Sequence, residues 1–412
     1  MKYTETYEDI KLLVDLCKAG KLFEVQEWIA SGKPVNPPPS TSGHKKKSPL
    51  EIAMDLGFHS LVKALLDGGA DILEPRYGPL PHALAERRLD LVQLLVEHGA
   101  DIHSVSMADV FESWQPHIIK WFIEQGADVE TDNPLAFALC QRIQTALGIF
   151  KTYKDRFPSF QEQANIALRR HCKEGNLKWV SLMLWAGADP YTKGPDSWHD
   201  DPEPENDQSA LELAAGYEHF DIFKLKRIRL DPINPELRGL LLEACHAEKS
   251  DFLDKLMEKG FNPAEYENKG SPLIQALLRG MSWYIDYNPW DPWRRDRSPK
   301  TNLDTDRSRE KIKMIHILAK HGAKWLPEDR SEILEARRSL AKMRPDYTVE
   351  FIWIMAKYNA CKREDLEELL RAPALKSLVS KHAARISELL RSFKSADQGT
   401  TQPNEGRIEP ST

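Results

Sequence analysis

Cysteine and histidine are the residues of this chain most able to do nucleophilic or metal chemistry, and their spacing disfavours both. The five cysteines among 412 residues lie far apart, and no two of them form a Cys-x-x-Cys pair. His171–Cys172 and Cys245–His246 are direct neighbours, but successive positions of a helix point in different directions, so neither forms a catalytic pair. Cys17 and Cys172 each stand three residues before a turn glycine, which is typical of a compact buried hydrophobe. We therefore expect reduced, buried cysteines that carry no chemistry.

Asp304-Thr305-Asp306 superficially resembles the Asp-x-Asp of phosphoryl-transfer enzymes. That chemistry needs the aspartates at the end of a buried strand, where the nucleophilic carboxylate is desolvated. Polar residues stand on both sides here, so we expect a solvated loop or a helix N-cap. The sequence contains no His-Glu-x-x-His, no phosphate-binding glycine loop and no Gly-x-Ser-x-Gly motif. We predict that the protein is not an enzyme and uses no cofactor and no metal ion; an enzyme with its site in a long insert at 280–309 is the minor alternative.

An acidic stretch runs from Asp196 to Asp207 and contains six carboxylates. Two prolines and the spacing of the acids rule out an EF-hand-like calcium loop. The pattern favours an extended, solvated acidic linker, and the alternative is a segment that steers a basic partner.

The insert at 280–309 is rich in aromatic and basic residues. Tryptophan, tyrosine and arginine contribute most of the binding energy at protein interfaces, which favours partner recognition or self-association. The alternative is a structural flap that covers neighbouring helices. Aspartates stand between the aromatic and basic residues and would repel the phosphates of a nucleic-acid backbone. The insert is therefore not expected to bind single-stranded nucleic acid. The candidate partner-binding residues of the insert are Trp283, Tyr287, Trp290, Trp293, Arg294 and Arg295.

Composition limits the classes of partner. The formal net charge is −6, and 41% of the residues are hydrophobic, so no bulk attraction draws the chain to nucleic acid or to an anionic membrane. The longest apolar run, Trp179 to Ala188, is too short to span a bilayer, and the N-terminal residues form no apolar signal core. We therefore expect a cytoplasmic protein that does not bind membranes.

One helix ending recurs along the chain and indicates internal repetition. Leu89 to His98 has leucines and valines at helical spacing, and a glycine stops the helix. Helix openings with proline or alanine before leucine recur in phase with these endings, as in Ser48-Pro49-Leu50 and Ser209-Ala210-Leu211. The endings are Gly69-Ala70-Asp71, Gly99-Ala100-Asp101, Gly126-Ala127-Asp128 and Gly187-Ala188-Asp189.

A Ser-Pro-Leu opening, two short antiparallel helices and a Gly-Ala-Asp ending together resemble the ankyrin repeat. The resemblance covers most of the chain from about residue 8 to 360. The histidine that follows Pro-Leu in that family is absent from these openings. In two of them, Ser48-x-x-Glu51 and Ser209-x-x-Glu212, a capping box takes its place.

The resemblance implies an all-α, ankyrin-type helical solenoid of about ten irregular helix–turn–helix repeats with a C-terminal helical cap. Short finger turns are expected between repeats rather than a sheet. The predicted order is an N-terminal capping repeat at 1–36, a Pro/Lys linker at 37–47, repeats at 48–191, the acidic insert at 192–207, repeats at 208–279, the Trp/Arg-rich insert at 280–309, degenerate repeats at 310–358, the C-terminal cap at 359–394 and a disordered tail at 395–412.

The resemblance also implies a function. Stacked repeats present a long concave face, built from fingers and first helices, that can vary without harming the core and that binds macromolecules. We therefore predict a non-catalytic module that binds a protein on this face, with Arg76, Tyr77 and His103 as finger contacts. The alternative is a structural or regulatory subunit that assembles or oligomerises through the Trp-rich insert. The identity of the partner cannot be read from the sequence.

Overall fold

The structure is a computed structural model that describes residues 2–39, 46–72, 78–198, 208–266, 273–283, 303–327, 330–342, 345–371 and 373–392. Within these ranges nearly all regular structure is helical, which confirms the all-α class. The chain divides into two compact units, and each is described by itself. Unit 1 comprises Met1–His171, Lys178–Asp189 and Pro195–Asn206, and unit 2 comprises Cys172–Leu177, Pro190–Gly194 and Asp207–Thr412.

Unit 1 is built from helix–turn–helix pairs, and in each pair a short turn joins a first helix to an antiparallel second helix. The pairs in chain order are α1 (Tyr7–Lys18) with α2 (Leu22–Ala30), α3 (Pro49–Asp55) with α4 (His59–Asp67), α5 (Pro79–Ala85) with α6 (Leu89–Glu97), α7 (Met107–Glu112) with α8 (Pro116–Glu124), and α9 (Pro134–Cys140) with α10 (Gln144–Tyr153). A longer pair follows, α11 (Ser159–Lys173) with α12 (Leu177–Ala186).

Unit 2 continues the pattern less regularly. Its first pair has α13 (Ala210–Gly216) and, in place of a second α-helix, a short 3-10 segment at Phe220–Lys224. The remaining helices are α14 (Gly239–His246), α15 (Ser250–Glu258), α16 (Leu273–Trp283), α17 (Leu303–Lys320), α18 (Arg330–Lys342), α19 (Pro345–Lys357), α20 (Arg363–Leu370), α21 (Lys376–Lys381) and α22 (Ala383–Ser392). Asp304 and Asp306, expected in a solvated loop or at a helix N-cap, lie within the first turn of α17.

A small sheet corrects the expectation of finger turns alone. Strand β1 (Lys193–Gly194) pairs antiparallel with strand β2 (Gln208–Ser209), so Lys193 lies opposite Ser209. Main-chain hydrogen bonds therefore join residues 193–194, near the start of the predicted acidic insert, to residues 208–209 directly after it. The sequence missed this ladder because two residues are too short a stretch to show strand periodicity.

The helix openings follow the predicted chemistry in part. Proline stands in the first turn of α3, α5 and α9, where its missing N–H leaves no helical bond unmade. At Ser209 the capping box is complete, because the Glu212 carboxylate accepts from the Ser209 N–H at 2.8 Å. At Ser48 only half of the predicted box forms: the Glu51 N–H donates to Ser48 Oγ at 3.1 Å. The Glu51 carboxylate lies 3.9 Å from Lys47 Nζ instead of bonding to the Ser48 N–H.

The Gly-Ala-Asp endings act as the sequence predicts. Gly99 has φ +97°, and the Ala100 N–H donates to the Leu95 carbonyl at 3.0 Å, which closes the end of α6. The aspartate then organises the finger loop that follows. Asp101 Oδ1 accepts from the His103 N–H at 2.9 Å, and this turn ends the repeat.

Replacing Gly99 with alanine is expected to reduce the free energy of unfolding by about 1–2 kcal/mol, because an L-residue is strained at this positive φ. Crowding contributes nothing to that cost, since a Cβ at position 99 would meet no atom within 4 Å. Gly148, inside α10, is the matched control: its Cβ would also meet open space, but its backbone is helical. Gly148→Ala is expected to stabilise by about 0.5–1 kcal/mol. Equilibrium urea unfolding measures the free energy of unfolding of both variants. Equal changes for Gly99→Ala and Gly148→Ala would contradict the role given to the left-handed backbone of Gly99.

First helices pack against the first helices of neighbouring pairs, and second helices pack against second helices. In unit 1 the first helices α1, α3 and α5 pack in series, as do the second helices α2, α4 and α6. In unit 2 the same relation links α14, α16 and α18, and separately α15, α17 and α19. The surface formed by the first helices and by the loops that precede them is called the first-helix face below.

Side chains near the interhelix turns tie successive pairs together. Arg88 Nη1 donates to the Gly57 carbonyl at 3.0 Å, and His171 Nε2 lies 3.0 Å from the Leu139 carbonyl. His171 also stacks on Trp179, with ring centroids 5.4 Å apart. This histidine is therefore held by structural contacts. The neighbouring thiol of Cys172 is buried, and burial raises the pKa of Cys172 far above its ordinary value.

Candidate interaction surface

The structure describes little of the predicted contact set. His103 is exposed in a short 3-10 segment, Ile102–Ser104, on the finger loop after α6. Trp283 is the last residue of α16, and nothing more of it is described. The other predicted contacts lie outside the described residues, so their roles stay predictions: Arg76, Tyr77, Tyr287, Trp290, Trp293, Arg294 and Arg295.

A charged cluster spans the first helices of the first three pairs. Lys47 Nζ lies 2.5 Å from Asp55 Oδ2, and His82 Nε2 lies 3.8 Å from Asp55 Oδ1. The hydrogen bond to Asp55 raises the pKa of Lys47. The Tyr7 hydroxyl donates to the Lys47 carbonyl at 3.0 Å, which ties the cluster to α1. These groups lie on the first-helix face with partly exposed side chains, so they could form charge-assisted hydrogen bonds to a bound molecule.

The finger loops of unit 1 are ordered by aspartates and present polar side chains. Asp128 Oδ1 accepts from the Glu130 N–H at 2.8 Å and from the Thr131 N–H at 3.1 Å. Hydrogen bonding, led by Thr131, lowers the pKa of Asp128. Glu130 and His103 are both exposed on neighbouring loops. The loops therefore hold charged groups in fixed positions without using them in the core.

The first described residues of the acidic insert do not form a free linker. Residues 195–198, called the strap below, lie against α9 and α11 of unit 1. Arg169 of α11 is wholly buried, and its Nε donates to the Pro195 carbonyl at 2.7 Å. Trp198 meets Phe137 of α9 edge to face, with ring centroids 5.9 Å apart. Sequence reasoning missed these contacts because they join residues far apart in the chain.

Exposed apolar side chains occur at several interhelix turns, on a surface distinct from the fingers. Trp114 is 46% exposed and has φ +62°, the left-handed conformation that costs an L-residue energy. Leu56 and Phe58 are exposed at the turn between α3 and α4, and Tyr217 is exposed at the end of α13 in unit 2. Apolar groups scattered singly in this way are normal on protein surfaces. They make the turns a weaker candidate surface than the first-helix face.

Among the residues that the structure describes, no group of three or more His, Cys, Asp or Glu side chains is arranged to hold a metal ion. A search of the same residues finds no helix that is long and apolar enough to cross a membrane. The cysteines at 17, 140, 172, 245 and 361 form no disulfide.

Comparison with known proteins gives short or distant matches. No protein-family model matches the chain. An ankyrin repeat and KH domain-containing protein of Caenorhabditis briggsae is 25% identical over 229 residues, which is 51% of this chain and 8% of that protein. A protein of the same description from Caenorhabditis elegans is 24% identical over 159 residues, or 36% of this chain and 6% of that protein. An ankyrin repeat protein of fowlpox virus is 37% identical over 76 residues, or 18% of this chain and 17% of that protein.

Among solved structures, the ankyrin repeat domain of Bcl-3, a member of the IkappaB protein family, is similar at 19% identity and a TM-score of 0.37. The similarity covers 52% of this chain and 97% of that domain. The matched stretches span less than a fifth of each curated relative, so the activities of those whole proteins are not carried over.

The curated relatives share one feature, the ankyrin repeat. The described helix pairs, with their Pro-Leu openings and left-handed glycine endings, are the elements from which such repeats are built. These findings confirm the resemblance predicted from the sequence: the curated relatives are ankyrin-repeat proteins, and the described helix pairs form an all-α, irregular repeat fold. Proteins of this class generally act as modules for protein–protein interaction.

Proposed function

We propose that this chain is a non-catalytic module that binds a protein partner on the first-helix face of unit 1. The observation that carries the proposal is the set of polar, partly exposed groups on the first helices and fingers, in particular Asp55, His82 and His103. The apolar sides of the same helices make the packing contacts of the core. The buried apolar faces fix the fold, and the remaining side chains are available for recognition.

Site-specific photo-cross-linking tests the location. A photoreactive amino acid is placed at Ala85 on the first helix α5 or at His103 on the finger loop, both exposed. The matched control is Glu97, exposed on the second helix α6 of the same pair. In native lysate, positions 85 and 103 are expected to capture one defined protein that position 97 does not capture. Equal capture from all three positions, or capture from position 97 alone, would contradict the proposal.

Assembly through the Trp-rich insert stays a separate prediction, since its aromatic residues lie outside the described side chains. Changing Trp283, Trp290 and Trp293 to alanine tests it by the mass measured in size-exclusion chromatography with light scattering. If the parent and the variant are both monomeric and both bind the partner, the insert does not mediate assembly and this alternative is wrong.

A further inference from the structure

We propose that the first-helix face of α9 and α11 is a binding site for an extended peptide, and that the chain's own strap, residues 195–198, occupies this site. The inference deepens the proposed function, on which it rests, by naming a subsite and the chemistry of its ligand. The ligand is an extended segment that offers a main-chain carbonyl and, three residues later, an aromatic side chain.

The carbonyl subsite is formed by Arg169. Its side chain is 0% exposed although it lies on a first helix, whose outward side chains in earlier pairs are open to solvent. Arg169 Nε donates to the Pro195 carbonyl at 2.7 Å, and its guanidinium also pairs with Glu162 on the same helix. A buried arginine needs such acceptors, because an unpaired buried charge is costly. The strap therefore satisfies a donor that belongs to the helix surface.

The aromatic subsite is formed by α9 and the residue before it. Trp198 meets Phe137 edge to face at a centroid distance of 5.9 Å, an arrangement that aromatic pairs favour. Asn133 Nδ2 lies 3.4 Å from the Trp198 carbonyl, to which it donates. Asn133 is in the left-handed conformation, with φ +48°, which asparagine tolerates.

The way in which the strap is held resembles the way in which a peptide ligand is held. Between Pro195 and Trp198 the described chain forms no helix or strand, and main-chain carbonyls at both ends accept from side chains of unit 1. Asp196 between them is buried. Arg169 and Asn133 donate to main-chain carbonyls, which every extended peptide has. The Phe137 ring favours a peptide with an aromatic side chain at the matching position.

The test uses the full chain with residues 195–198 replaced by Gly-Ser-Gly-Ser, which keeps both strands of the β1–β2 ladder. The probe is a fluorescein-labelled peptide of residues 192–198, Thr-Lys-Gly-Pro-Asp-Ser-Trp, followed by fluorescence anisotropy. The peptide is expected to bind this variant at least about tenfold more tightly than it binds the intact chain, where the strap competes for the site. A peptide with alanine in place of its tryptophan is expected to bind about tenfold or more weakly.

Equal affinity for the variant and the intact chain, or equal binding of the two peptides, would overturn the proposal. Trp198→Ala in the full chain gives a second, smaller change that vacates the aromatic subsite alone, and it too is expected to gain peptide affinity. Cross-linking from positions 85 and 103 in the strap variant separates the two hypotheses. Partner capture there without peptide binding would leave the proposed function standing and remove the peptide site.

Discussion

Trp325→Ala is expected to reduce the free energy of unfolding of unit 2 by about 3–5 kcal/mol. Trp325 is 0% exposed and is among the largest buried side chains of the described chain. Its ring meets Phe351 of α19 edge to face, with ring centroids 6.2 Å apart, and the main-chain N–H of Trp325 donates to the Ala360 carbonyl at 2.6 Å. The side chain therefore fills the space between the end of the α17 segment and α19, and alanine would leave a cavity there.

Trp325→Phe is the matched control for that prediction. The indole Nε1 is buried without a hydrogen-bond partner among the described residues, and an unmade bond of this kind has a cost. Phenylalanine removes the unpaired donor and keeps most of the apolar volume. Trp325→Phe is therefore expected to reduce the free energy of unfolding by less than about 1.5 kcal/mol. Chemical denaturation followed by circular dichroism measures both variants. Losses of similar size for alanine and phenylalanine would contradict the packing role.

The second large effect concerns a buried carboxyl in unit 2. Burial, aided by the nearby Glu212 carboxylate, raises the pKa of Glu243 to about 7, from an ordinary value of 4.5. Gln208 Nε2 of strand β2 donates to Glu243 Oε1 at 3.2 Å, and Lys193 Nζ of strand β1 lies 3.2 Å from Glu212 Oε1. Each strand that closes the acidic insert is thus attached to one of the two carboxyl groups.

The direction of the pH effect follows from proton binding. Between about pH 4.5 and 7 the folded state keeps a proton on Glu243 that the unfolded state has released. Stability therefore falls as pH rises through this window, by an amount on the order of 3 kcal/mol, and changes no further once both states are ionised. Glu243→Gln keeps the acceptor for Gln208 and removes the titration. The variant is expected to match the parent at pH 4.5 and to exceed its stability at pH 8 by up to about 3 kcal/mol.

The difference in stability between parent and variant reports Glu243 together with any effect on His246, whose Nδ1 lies 3.9 Å from Glu243 Oε2. Burial lowers the pKa of His246, and the contribution of that histidine to stability is lost at acid pH. Urea midpoints at half-unit steps from pH 4.5 to 8 measure that difference. A constant difference across the range would show that Glu243 is ionised in the folded state at all of these pH values.

The parts of the fold that depend on local chemistry could be predicted from the sequence. The helix that ends at Gly99, its left-handed glycine and the Asp101 turn all follow from short-range rules, and the structure shows each of them. The capping box at Ser209 was predicted for the same reason. The half-formed box at Ser48 was not, because the direction taken by the Glu51 side chain depends on side-chain geometry that the motif does not encode.

The candidate site was less accessible to sequence reasoning. The strap contacts join Trp198 to Phe137 and Pro195 to Arg169, and such contacts depend on how distant pairs stack rather than on any local pattern. His103 was predicted as a finger contact because it follows a regular helix ending; the structure shows it exposed there, and its role in binding stays a prediction. The cluster around Asp55 was missed because Lys47, Asp55 and His82 come together only when α3 and α5 pack side by side.

Hydrogen exchange with and without the captured partner tests the central claim most directly. Partner binding is expected to slow amide exchange in the finger loop at 101–106 and in the first helices α3 and α5, while the second helices α4 and α6 keep their rates. Protection confined to α4 and α6, or the same rates with and without the partner throughout unit 1, would contradict recognition on the first-helix face.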